Sequence, residues 1–147
     1  MIESSNQQFY LSTAHTSYWF RVTKFGHLEH VYYGPYISKQ PMDALRYKHS
    51  ALTGSCVDYS TEAGDEAAYN LDTMCLEWSG IGRGDYRQSP FEIKMPDGSF
   101  VNDFVFKTAT TKNGVLSMDT LPGAYGTTED CTYLDITMEE VSNQLEL

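Results

Sequence analysis

Residues 17–25 (SYWFRVTKF) and 28–34 (LEHVYYG) are aromatic-rich segments that meet at Gly26-His27. Residues 8–14 (QFYLSTA) precede them in the same style. Strands favour Tyr, Phe, Trp and Val, and a short loop containing Gly forces two such runs to pair antiparallel. On the second arm Leu28, His30 and Tyr32 share one side, and Glu29, Val31 and Tyr33 the other. Neither side is purely apolar, so each needs partial cover. Tyr18, Trp19, Phe20, Tyr32, Tyr33 and Tyr36 then read as core and cross-strand packing.

Further on, Pro35 and Pro41 end the hairpin, and residues 42–47 (MDALRY) suggest one helical turn. The run from 35 to 70 otherwise lacks strand signals and reads as a long irregular loop. Such a loop is either an excursion or a reach toward a partner or pocket. From Pro90, PFEIKM alternates, Pro96-Asp97-Gly98 is a turn, and SFVNDFVFKTATT resumes, with a bulge or a switch of face expected where the alternation breaks at Asn102-Asp103. Asn113-Gly114 is a second turn signal, 121–126 (LPGAYG) a connector, 132–138 (TYLDITM) a strand and 141–147 (VSNQLEL) a last strand. The class is all-β: an antiparallel β-sandwich with a long irregular loop region.

The 147 residues suit one domain, 1–147, able to bury a core without staples. Net charge is -10, which excludes nucleic acid and an anionic membrane as partners, since both demand basic patches. Residues Asp58 to Glu77 hold six acids and no base. Cys56, Cys75 and Cys131 cannot all pair, and no signal peptide or long apolar run stands out, so a reduced, cytoplasmic setting is expected. No metal and no cofactor is expected. There is no C-x-x-C, and His27 and His30, three apart, face opposite sides of a strand.

The least regular stretch is Leu71 to Pro90, LDTMCLEWSGIGRGDYRQSP. Gly80, Gly82 and Gly84 permit positive φ and close backbone approach. Asp85 and Arg87, two apart, share a face on an extended segment, and Trp78 stands among polar neighbours. One reading is a presented loop. The other is a connector in which Asp72, Glu77, Asp85 and Arg87 satisfy neighbouring backbone groups.

This stretch, LDT followed by a Glu, G-x-G-D-[FY]-R and a Pro, resembles the N-terminal domain of glycoside hydrolase family 36 α-galactosidases. FYLSTAHTSYWFRV (9–22) with GHLEHVYYG (26–34) resembles that domain's first hairpin. HSALTGS (49–55), LPGAYG (121–126) and LDITMEE (134–140) fall in the family's order. The resemblance implies a β-sandwich that precedes a (β/α)₈ barrel and a small C-terminal β-domain. The barrel would carry two aspartates for retaining hydrolysis of terminal α-galactosides such as melibiose and raffinose. A barrel alone takes about 250 residues, so those aspartates are expected beyond Leu147 and no catalytic residue within this chain.

The resemblance also implies a homo-oligomer, with the rest of the polypeptide as partner and a loop of this domain at the rim of the galactoside pocket. Asp58, Trp78, Asp85 and Arg87 are the candidate substrate-binding residues, an aromatic platform beside placed polar groups. The abrupt end at Leu147 suggests a fragment, or an edge strand through which copies self-associate. A free-standing carbohydrate-binding module is the competing reading. A small hydrolase using Asp72 with Glu77 is a third, with no Ser/His/Asp or Cys/His arrangement beside it.

Overall fold

The computed structural model describes residues 1–46, 59, 69–116, 120, 122, 123 and 125–147. Strands β1 (Ile2–Ser5), β2 (Gln8–Ser12), β3 (Thr16–Val22) and β4 (Leu28–Pro35) form an antiparallel meander in that order. Strands β5 (Phe104–Asn113) and β6 (Thr132–Glu140) make a second, two-stranded antiparallel sheet. The described residues are thus all-β, with only single 3₁₀ turns at Met42–Ala44 and Leu71–Thr73. No helix among them is long and apolar enough to cross a membrane.

The expected β2, β3 and β4 are present, and one strand was not foreseen. Ile2–Ser5 is short and mostly polar, and it pairs with β2 through a two-residue turn. Asn6 and Gln7 both take positive φ, 49° and 59°, the signature of the type I′ turn that suits strand twist. A Gln at the second position conceals that signal, because Gly is the usual occupant.

The core lies between the two sheets. Phe9, Phe20, Val22 and Leu28 of the meander meet Phe104 and Met138 of the second sheet. Phe9 stacks on Phe20 with centroids 4.9 Å apart. The tip of the β3–β4 hairpin touches the opposite layer directly, since Gly26 accepts a 2.7 Å bond from the Phe106 N–H. Gly26 has a φ of 91°, and a Cβ there would lie 2.8 Å from Val105 Cβ. The other face of the meander is covered as well. Tyr10 and Trp19 pack edge to face at 5.1 Å, and Met42, fully buried, closes over them with Ile37 beside it.

Three expectations are corrected. PFEIKM forms no ladder, although the turn after it is present, with Met95 N–H on Ser99 O at 2.8 Å. Phe91 and Ile93 pack on the core, but Pro90 lacks an N–H and the backbone finds no partner strand. The β5 ladder starts at Phe104, and its irregularity falls near Lys107 instead of Asn102-Asp103. Asn102 and Asp103 are buried, and their backbones bond to Ile81 and Val141. Residues 141–147 are not a strand but a turn and a short return. Glu140, buried, accepts from Ser142 N–H at 2.9 Å and Asn143 N–H at 2.7 Å, and Leu147 exchanges two bonds with Met138. Lys107 draws this return in by bonding both Glu139 and Glu146, which push its ammonium up to about 12.

Candidate functional site

The stretch from Leu71 to Arg87 is anchored by a small apolar cluster, in which Leu71 and Met74 are buried with Tyr69, and its path is set by directed bonds. Asn70 opens it, its Oδ1 accepting the Asp72 N–H at 3.1 Å as an N-cap. Cys75–Glu77 then run antiparallel along β4. His30 N–H bonds Cys75 O at 2.7 Å, and Glu77 N–H bonds Leu28 O at 2.9 Å. The chain next turns through Gly82, Arg83 and Gly84, three successive residues with φ of 83°, 57° and 79°. Two of the three are Gly, which meets this demand without a Cβ penalty. Gly80 lies under Asn102, where an added Cβ would sit 2.8 Å from Asn102 O and Oδ1.

Asp85 and Arg87 are brought together. The Asp85 side chain is 1% exposed, and its Oδ1 and Oδ2 accept from Arg87 Nε and Nη2 at 2.9 and 3.1 Å. The guanidinium also donates to Met74 O at 2.5 Å and Leu71 O at 2.6 Å. The pair therefore clamps the Gly-rich turn onto the 71–74 turn. Of the five N–H donors of an arginine, one remains uncommitted by these bonds. Fork-to-fork contacts of this kind fix geometry in two directions at once.

Trp78 belongs to a different cluster. It stacks on Phe91 with centroids 4.9 Å apart, and Phe91 in turn meets Phe104 edge-on. One side of Trp78 lines a cleft of about 230 Å³ with Leu28, Glu77, Ile136, Met138 and Leu147. That is below the ~300 Å³ at which ordinary small-molecule pockets begin. Glu77 is held at its mouth by His30 Nδ1 at 2.6 Å. Burial, then the hydrogen bond and charge of Glu77, push the Tyr18 phenol well above its ordinary value. Asp58 lies outside the described residues. A wider groove of about 520 Å³ lies elsewhere, between β1, the β2–β3 turn and residues 130–132.

A second polar cluster had no candidate among the sequence readings. His27 Nε2 meets Asp103 Oδ1 at 2.9 Å, and His27 Nδ1 meets the Tyr69 hydroxyl at 2.6 Å, which also contacts Thr23 Oγ1 at 2.6 Å. All four residues are buried. Burial pushes the Asp103 carboxyl up most strongly of any one cause, but the hydrogen bond and charge of His27, together with Tyr59 and Arg83, outweigh it and hold the group below its ordinary value. Burial raises the Tyr69 phenol. The cluster ties the β3–β4 hairpin, residue 69 and the start of β5 into one polar pin. The break of alternation at Asn102-Asp103 was its visible trace. No group of three metal-ligating side chains is found among the described residues.

The model of the glycosyl hydrolase family 36 N-terminal domain matches residues 26–147. The chain belongs to this family. It is 31% identical over 139 residues to the bifunctional alpha-galactosidase/sucrose kinase AgaSK of Mediterraneibacter gnavus, covering 95% of this chain and 14% of that protein. It is 26% identical over 122 residues to the alpha-galactosidase AgaA of Geobacillus stearothermophilus, covering 81% of this chain and 16% of that protein. The family 36 N-terminal chain thus spans about a seventh of the length of these curated relatives. Among solved structures, the galactosidase domain of AgaSK superposes with a TM-score of 0.87 at 30% identity over 99% of this chain and 20% of that one. A crystal structure of an AgaA variant in complex with raffinose superposes at 0.80 with 25% identity, over 95% and 19%.

Proposed function

We propose that residues 1–147 are the non-catalytic N-terminal β-sandwich of an α-galactosidase, a scaffold on which a catalytic barrel docks and whose loops form the rim of the sugar pocket. One observation carries this reading: 99% of the chain superposes on the galactosidase domain of AgaSK while occupying only 20% of it. The chemistry of terminal α-galactoside cleavage then belongs to the rest of the polypeptide. Three of the less exposed acids are consistent with that division, because Asp85 is committed to Arg87, Glu77 to His30 and Asp103 to His27.

At the rim, the Gly-rich loop is the element proposed to face the sugar. Arg87 offers its remaining N–H, Asp85 holds that guanidinium in place, Trp78 supplies an apolar face, and Asp58 is a fourth contact. The assembled enzyme is proposed to be a cytoplasmic homo-oligomer. Two described cysteines, Cys75 and Cys131, are free thiols, as a reducing compartment allows.

The purified chain, incubated with a chromogenic α-galactoside, is expected to release no chromophore above buffer. Sustained turnover that vanishes in Asp72→Asn or Asp85→Asn would overturn the reading. Calorimetry with raffinose separates the rim from an autonomous module. The scaffold reading expects no saturable heat, and a defined binding isotherm would instead favour a carbohydrate-binding module.

A further inference from the structure

The seam between the Gly-rich loop and residues 102–104 holds two polar atoms that find no partner among the described residues. Trp78 Nε1, a donor only, and Asn102 Oδ1, an acceptor only, are buried without a hydrogen-bond partner among the described residues. Asn102 is 2% exposed, and its Nδ2 already donates to Phe100 O at 3.1 Å, which directs Oδ1 the other way. Both residues line one small cavity, together with Gly80, Gly82, His27 and Asp103. Gly80 packs against Asn102 at this point, since a Cβ there would lie 2.8 Å from both Asn102 O and Oδ1.

We propose that this cavity is a binding site for a single structural water, which accepts from Trp78 Nε1–H and donates to Asn102 Oδ1. Size makes the choice. The cavity measures about 10 Å³, at the lower edge of the ~10–15 Å³ that admits one water and far below any sugar or cofactor. Chemistry makes it again. The charged residues of the lining, Arg83 and Asp103, are of opposite sign, and the two unmatched atoms are one donor and one acceptor, so a neutral water that both accepts and donates fits where a single ion does not. Two buried groups left unmatched each carry a desolvation cost, and one bridging water removes both. The site shares Trp78 and the Gly-rich loop with the proposed sugar rim, but it does not need a sugar to be bound there. It staples the Gly80–Gly82 arc to the start of β5 and holds the indole edge while Phe91 holds the ring face.

The test is water-selective NOE and ROE spectroscopy of the ¹⁵N-labelled chain. The Trp78 indole N–H is expected to show water cross-peaks of opposite sign in the two experiments, the mark of a water that tumbles with the protein. Gly80→Ala, whose methyl occupies the site, is expected to abolish them. Absence of the cross-peaks in the unaltered chain would overturn the proposal. A second measurement reads the sign of the donor's contribution. Replacing Trp78 with benzothienylalanine keeps the ring shape and deletes the N–H. A bridged donor predicts a Tm lower by about 2–8 °C, and an unmatched donor predicts a Tm that rises.

Discussion

In the meander, Phe9, Trp19 and Phe20 are each no more than 3% exposed; Phe9 and Phe20 pack toward the second sheet, and Trp19 is covered on the other face by Tyr10, Tyr32 and Met42. In the loop from Leu71 to Arg87, the defining contacts are a carboxylate fork, two carbonyls on one guanidinium and three positive φ angles. The first region gains its stability from area removed from water, about 1.5–3 kcal/mol for each large apolar side chain. The second also buries Leu71 and Met74 in a small apolar cluster, but its path beyond them is set by hydrogen bonds worth only about 0.5–1.5 kcal/mol each. A sheet held by area tolerates exchanges that keep volume. A loop held by direction tolerates few exchanges, because each donor has one acceptor and each φ one residue type. This is why the sheet is suited to carry, and the loop to present.

The comparison is broken most severely at its apolar end. Phe20→Ala removes the ring stacked on Phe9 and should cost about 3–5 kcal/mol in urea unfolding. A loss below about 1 kcal/mol would mean the core is not where burial puts it. Gly82→Ala probes the loop by backbone alone. With φ at 83° and Val101 Cγ1 2.9 Å from the new Cβ, it should cost about 2–3 kcal/mol. Arg87→Lys keeps the charge and loses the fork. It should cost about 1–2 kcal/mol, and faster amide exchange should be confined to residues 71–87. Exchange spreading into the meander would show that the loop and sheet are one cooperative unit.

The smallest and most localised effect should be on the pH dependence that the polar pin gives to stability at acid pH. The folded-state value of Asp103 is depressed, so its contribution is complete above the ordinary aspartate value near about 3.9 and is lost as pH falls through the folded value. Asp103→Asn should therefore flatten the acid limb of the stability curve below about pH 4, by at most about 1.4 kcal/mol per pH unit for one proton. An unchanged acid limb would assign that limb to other carboxylates.

Much of the sheet was legible from local pattern. The alternation around Tyr18–Val22 and Leu28–Tyr32 locates two strands and their turn, because the side-chain period of a strand is written in consecutive residues. The β1 strand escaped because Asn6-Gln7 performs a turn usually marked by Gly. The strand expected at 141–147 failed because its alternation was real but the buried Glu140 carboxylate captures the Ser142 and Asn143 N–H groups and bends the chain. In the loop, the three glycines and the Asp85/Arg87 spacing were visible, and so was the alternative that these groups satisfy neighbouring backbone. What the spacing could not state was which carbonyls Arg87 would reach, 13 and 16 residues back.

By itself, then, the sequence determined the strands of the meander, the positions that need left-handed backbone and the family to which the chain belongs. These depend on neighbours a few residues apart or on motifs in order. Only the tertiary structure decided the partners of its buried polar groups: His27 with Asp103 across 76 residues, and His30 with Glu77 across 47. A hydrogen bond is set by distance and direction in space, and the linear order of the chain carries neither until the two sheets have packed.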